Sequence, residues 1–232
     1  MNMDELETDW FKDDYSCIIL TIFKKDKGEL LMNSESYSMG DRRIRRTKNL
    51  LKMHFIQLVK SKGYKNVTVT DIVEKADYNR STFYLHFKDK GDLAEELVAE
   101  VLGELKLAFH KPFLETKVVD YDHILPTSNA FFKHFYDNRD FYSLLTLEDS
   151  IPKIKDKFFL KFKEVFEGIV YIDDANESIE LEHYNTYKMY GSYGVILERI
   201  YGGCKQTPEQ IADNLLEIFK TNNSSFHFKM KS

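Results

Sequence analysis

From Arg45 to Lys62 the apolar residues Leu51, Phe55, Leu58 and Val59 recur at intervals that put them on one face of a helix. Gly63 closes that run as a helix terminator does. Thr68 and Asp71 then stand in capping-box positions, with Asp where Glu or Gln is usual, and predict a short helix over Val69 to Ala76. Asn79 is a second N-cap and opens another short helix through Phe87. Asp89, with Asp92 three residues on, starts a third helix that carries Leu93, Leu97, Val101 and Leu105 on one side. Further helices are expected near 126–146, 151–170 and 180–201. Gly202-Gly203 ends the last of these, and Thr207-Pro208-Glu209-Gln210 supplies an N-cap, an N1 proline and a capping-box Gln. The final helix then shows Ile211, Leu215, Ile218 and Phe219 on its apolar face. The expected fold class is all-α.

Composition narrows the picture. A chain of 232 residues with 43% hydrophobic and 31% charged residues can bury a core, and four Pro with ten Gly exclude collagen-like and linker-like sequences. Two cysteines, Cys17 and Cys204, make neither a disulfide framework nor a four-cysteine zinc site. The longest strongly apolar stretch, Cys17 to Phe23, is seven residues, against the ~20 that a spanning helix needs. A soluble, cytoplasmic protein without membrane partners is expected. Residues 1–40 stand apart from the helical scheme. They carry the sole Trp, Trp10, and a strand-like apolar run, and Met32 and Met39 are alternative starts. Lys27-Gly28-Glu29 can be encoded by a purine-rich ribosome-binding sequence, so residues 1–31 read as a disposable extension or a mis-assigned start.

The net charge of −5 hides a division. Residues 1–40 carry −5, residues 41–90 carry +8 and residues 91–232 carry −8. A basic block on an acidic chain is either a solvated face or a site for a polyanion, and charge alone does not choose. Within it, Arg42, Arg43, Arg45 and Arg46 are either an arm for a DNA minor groove or the solvated start of the first helix.

Two short helices separated by Asp77-Tyr78-Asn79 inside that block make a helix-turn-helix. A recognition helix needs forked and small polar groups at its start, and Arg80, Ser81 and Thr82 supply them. Its other face needs apolar groups, supplied by Phe83 and Phe87. The run from Gly63 to Lys90, with its capping Thr, its Thr-Phe-Tyr-x-His-Phe core and its trailing Lys, resembles the TetR (tetracycline-repressor-like) family of regulators over roughly Arg45 to Leu105. The resemblance implies that Thr68 caps the positioning helix against a phosphate, with Thr70 beside it. It implies base or near-base contacts for Arg80, Ser81 and Thr82, and phosphate contacts for Tyr84, His86 and Lys90. The turn departs from the family pattern, with Asp77 for Gly or Asn and Tyr78 for a small aliphatic residue. Asp tolerates the left-handed conformation better than most residues, so the turn is expected to survive.

Residues 1–40 read as an N-terminal extension, and the resemblance implies a DNA-binding domain over 45–105 and a helical ligand-binding and dimerisation domain over 106–232. Residues 91–232 hold thirteen Phe and nine Tyr, read mainly as core, with aromatic walls that also suit an apolar effector. His110, His123, His134, His183 and Cys204 lack metal-ligand spacing, so no metal and no cofactor are expected. Gly191-Ser-Tyr-Gly194 lacks the strand and third glycine of a nucleotide loop, and no catalytic motif appears, so the expected protein is not an enzyme. The expected partners are a double-stranded DNA operator, a second copy of the chain and an unidentified small-molecule effector. The resemblance implies a ligand-released repressor acting as a homodimer on a near-palindromic operator, with a coactivator of the same fold acting through a protein partner as the alternative.

Overall fold

The computed structural model describes residues 39–110, 118–120, 125–167, 169–172, 180–220 and 225–228. The readings that fall on residues 1–38, including the possible extension and Trp10, lie outside the described residues. The described helices are α1 (Met39–Lys62), α2 (Val69–Lys75), α3 (Arg80–Tyr84), α4 (Lys90–His110), α5 (Leu125–Asp137), α6 (Arg139–Tyr142), α7 (Ile154–Phe166), α8 (Leu181–Tyr201) and α9 (Pro208–Lys220). A 3-10 turn, Ser143–Thr146, continues α6.

The helices of the first region fall where local sequence places them. Thr68 caps α2 and forms the expected reciprocal box with Asp71, and Ala76 is the C-cap. Asp89 receives the N–H groups of Gly91 (2.7 Å) and Asp92 (3.0 Å) at the start of α4. Asp92 accepts from the Lys88 N–H at 2.8 Å, tying the preceding turn to α4. At the far end of the chain Thr207 and Gln210 exchange the bonds of a capping box, at 3.1 and 3.4 Å.

Two expected long helices are interrupted. The 126–146 stretch breaks after Asp137, where the Asn138 side chain turns back to donate to the His134 carbonyl at 3.0 Å. The 151–170 stretch begins as a helix only at Ile154, because Lys153 sits at φ +58°, in the left-handed region.

The fold is predominantly helical, with one addition that the periodicity did not announce. Val118–Asp120 (β1), Ile169–Ile172 (β2) and Ser225–Phe228 (β3) form an antiparallel sheet in the order β1-β3-β2. Val119 pairs with Phe226, and Tyr171 pairs with the same residue from the other side. These runs hold β-branched and aromatic residues, the types that fit a pleated surface.

From Arg43 onward the chain forms one compact unit. Its core is a single cluster running from Leu51, Phe55 and Val59 through Phe83, Phe87 and Leu93 to Phe158, Phe162, Ile196 and Leu215. α4 is shared: its first half closes the small N-terminal core, and its second half packs on α5 and α7. α1 is fastened to α4 by Lys48 and Lys52, which pair with Glu96 at 2.7 and 2.8 Å; Lys52 also pairs with Glu100. Among the described residues no helix is long and apolar enough to cross a membrane.

Candidate nucleic-acid interface

The helix-turn-helix is built from side chains that satisfy their own backbone. The Asp71 carboxylate accepts from the Thr68 N–H (2.7 Å) and hydroxyl (2.6 Å), and from Lys62 at 2.6 Å. Lys62, then the bonds from Thr68, hold that carboxyl near 2. The Thr68 hydroxyl also accepts from the Asp71 N–H at 3.2 Å. Asp77 adopts φ +55°, and Tyr78 donates its N–H to the Val73 carbonyl at 2.8 Å, which closes the turn. Tyr78 is half-buried against the core, so the residue that departs most from the family pattern does packing work.

On α3, Asn79 organises the leading residues. Its carbonyl oxygen accepts from the Thr82 N–H (2.8 Å), the Thr82 hydroxyl (2.9 Å) and the Ser81 hydroxyl (2.6 Å). With both hydroxyl protons directed at Asn79, the two oxygens present lone pairs outward. Arg80 donates from Nη2 to the Thr70 hydroxyl, which ties α3 to α2 and leaves four guanidinium N–H groups. Phe83 and Phe87 are buried and hold the opposite side of the helix. Tyr84 is exposed, with its ring edge-on to Phe83 at 5.5 Å. His86 is half-buried beside Phe87. Thr70, Arg80, Ser81 and Thr82 thus come together at one outer surface, with Tyr84 one turn further along.

Lys90 is elsewhere. The resemblance implies a phosphate contact, but its ammonium donates to the carbonyls of Tyr64 (2.9 Å), Lys65 (3.1 Å) and Val67 (2.8 Å). It also stands over the Tyr64 ring at 4.6 Å. An ammonium has three protons, and three carbonyls use them. Lys90 therefore pins the α1–α2 loop to α4. That loop is held from its other side by Asp149, whose carbonyl accepts from the Tyr64 N–H (3.1 Å) and whose carboxylate accepts from the Lys65 N–H (3.1 Å). Gly63 sits at φ +79°, and a Cβ there would run into the Asp149 carboxylate.

The +8 of residues 41–90 is partly consumed at home. Of its thirteen basic residues, Lys48, Lys52, Lys60 and Lys62 pair with carboxylates and Lys90 with carbonyls. Arg42, Arg43, Arg45, Arg46, Lys65, Lys75, Arg80 and Lys88 are exposed. The four leading arginines lie in α1, so they form the charged start of a helix and not an extended arm.

Sequence reasoning missed the Asn79 side chain as the shared acceptor for Ser81 and Thr82, although the N-cap assignment pointed to the residue. It missed Asp149, which nothing local marks. It also missed Leu85, the most exposed large apolar side chain among the described residues, at 79%.

The remainder of the chain buries Lys188 and Ser192 on α8, with Lys188 over the Tyr184 ring at 5.3 Å and the Ser192 hydroxyl donating to the Lys188 carbonyl at 2.7 Å, and is otherwise aromatic. Its interior is a set of ring contacts: Phe131 on Phe135 (5.2 Å), Phe135 on Tyr142 (4.6 Å), Phe162 on Phe166 (5.0 Å) and on Tyr193 (5.3 Å). His134 is buried, shares a 2.9 Å hydrogen bond with the Tyr142 hydroxyl, and is pushed down to about 4 by burial. Cys204 is a buried free thiol, raised by the same cause. Among the described residues no three His, Cys, Asp or Glu side chains cluster as a metal site requires.

Comparison with known proteins agrees with this geometry. The family model for bacterial regulatory proteins of the tetR family matches residues 56–97, and a model for a transcriptional regulator C-terminal region matches residues 122–221. An uncharacterized HTH-type transcriptional regulator of Bacillus subtilis, YxbF, is 22% identical over 171 residues, covering 72% of this chain. The chain spans 43% of the length of that relative. The fatty acid degradation regulator FadR from Bacillus halodurans shares the fold at a TM-score of 0.55 and 16% identity, over 74% of this chain and 93% of that one. A transcriptional regulator from Aquifex aeolicus does so at a TM-score of 0.53 and 18% identity, over 75% and 98%.

Proposed function

The chain belongs to the TetR family of bacterial transcriptional regulators, a family of regulators and not of enzymes, and we propose that it binds duplex DNA through α2 and α3, with Arg80, Ser81 and Thr82 against base edges. Thr68, Thr70, Tyr84 and His86 flank them along the sugar-phosphate backbone. Lys90 supports the site from behind. The observation that carries this reading is the arrangement on α3, where a forked cation and two hydroxyls face outward while Phe83 and Phe87 anchor the helix.

Residues 45–105 act as the reading head and residues 106–232 as the effector-binding and dimerisation body, in a cytoplasmic, homodimeric repressor. The dimer reading is supported by α8. Tyr187, Gly191, Gly194, Glu198 and Tyr201 recur at helical spacing along one exposed stripe, and a Cβ at either glycine would meet open space. A two-fold contact there presents two heads to the half-sites of a near-palindrome about 34 Å apart. Release by a ligand requires that it bind the DNA-incompetent state more tightly than the other.

Selection of duplexes from a random pool by the purified full-length chain tests the reading. The expected result is a near-palindromic sequence bound by two copies, with affinity that falls steeply with salt. Binding that is indifferent to sequence overturns it. Sequence-specific binding by the protein alone supports a repressor, and a requirement for a second protein supports a coactivator.

A further inference from the structure

The face that α3 turns outward is not wholly polar. Leu85 follows Tyr84 as the C-cap of the helix, at φ −68° and ψ −21°, and its N–H donates to the Ser81 carbonyl at 3.1 Å. Helical geometry therefore continues through it, and Leu85 stands one turn beyond Ser81 on the same side. With Phe83 and Phe87 directed into the core, a spacing of 3.6 residues per turn sends Ser81 and Leu85 directly away from it. Leu85 is 79% exposed at the centre of that face, with Ser81 one turn before it and exposed Tyr84 next to it in the chain.

A single exposed leucine on a protein surface ordinarily calls for no explanation. The position of this one gives it meaning. Resting on the DNA-binding reading above, any duplex seated against Ser81 and Tyr84 also covers Leu85, and must strip its water. A leucine side chain has no donor or acceptor to offer in return. On the base edges of the major groove the apolar group is the C5-methyl of thymine. We infer that Leu85 packs against a thymine methyl at one position in each half-site and so distinguishes T·A from C·G there without a hydrogen bond. Arg80 and the hydroxyls read hydrogen-bonding patterns, and Leu85 adds one apolar point to the same surface.

The experiment begins with the duplex selected by the full-length protein. Each thymine is replaced in turn by uracil, which removes only the methyl group, and affinity is measured for the wild type and for Leu85→Ala. Removing one buried methyl is expected to weaken wild-type binding about three- to fivefold at one position per half-site. At that position Leu85→Ala should show no uracil penalty, and 5-methylcytosine should bind the wild type better than cytosine does. Because Leu85 is exposed, the variant should unfold at the wild-type temperature. A selected duplex whose uracil penalties are the same in both proteins overturns this inference and leaves the DNA-binding reading standing. Failure to select any duplex overturns that reading and the inference with it.

Discussion

The head and the body of this chain are held by different physics. In the head, polar side chains close each junction: Thr68 with Asp71, Asn79 with Ser81 and Thr82, Asp89 with the start of α4, and Lys90 with three carbonyls. Every one of these bonds fixes a backbone angle or the entry of a helix. The body is held by rings, with Phe131, Phe135, Tyr142, Phe158, Phe162 and Tyr193 meeting edge-on or tilted and His134 joined to Tyr142 in their midst. A surface that must match base edges needs its donors placed to a fraction of an ångström, which caps and forks provide. The rings of the body supply apolar volume and fix fewer angles.

The largest expected effect tests the second half of that contrast. Phe162 is fully buried among Phe131, Phe158, Phe166 and Tyr193. Phe162→Ala should lower unfolding stability by about 3–5 kcal/mol in denaturant melts. A loss below about 1 kcal/mol would mean that the rings do not hold the body.

The next effect is a pH dependence that belongs to the body. His134 takes its proton near 6.5 when unfolded and near 4 when folded, because burial disfavours the charged ring. Between those values the unfolded chain binds the proton and the folded chain does not. The contribution is therefore complete above pH 6.5 and is lost as the pH falls towards 4, by roughly 3 kcal/mol. His110 is shifted to about 4 in the same direction and adds its own share. His134→Gln should remove about half of the slope measured between pH 6.5 and 4. The head responds in another window: the contribution of Asp71, held near 2 against 3.8, is present above pH 3.8 and is lost as the pH falls through 2.

Two smaller effects probe the α1–α2 loop, held by Lys90 from within the head and by Asp149 from the body. Lys90→Ala leaves three carbonyls without their shared donor and should cost about 1–3 kcal/mol of stability. The slope of log affinity against log salt should stay at the wild-type value; a slope reduced by about one per subunit would show Lys90 on a phosphate after all. Gly63→Ala forces a side chain into the left-handed region beside Asp149 and should cost about 1–2 kcal/mol by thermal unfolding. An unchanged melting temperature would argue that the Asp149 contact is loose.

The same contrast decides what the sequence discloses. The α2 box, the Asn79 cap, the turn at Asp77 and the α9 capping box are short-range devices, with both partners within a few residues, and each is legible from spacing. Lys90 was legible as a residue of note, but its carbonyl acceptors were not, since they lie 23 to 26 positions earlier. Asp149 reaches Lys65 across 84 positions, and no local signal could mark it. In the body, the break at Asn138 and the left-handed Lys153 lie inside runs whose apolar spacing reads as continuous helix. The strands β1 to β3 are three or four residues long, too short for periodicity to separate them from helix. Leu85 was within reach, because the wheel that buries Phe83 and Phe87 also sets it opposite them.

The central claim is that α3 reads sequence and does not merely attract a polyanion. Binding of Arg80→Ala to the selected operator and to a scrambled duplex, across several salt concentrations, tests it most directly. The account predicts a loss of about 1–3 kcal/mol on the operator, relaxed preference at one base position per half-site, and little change on scrambled DNA. An equal loss on both duplexes would contradict the placement of Arg80 against the bases and reduce it to one more charge in the basic block.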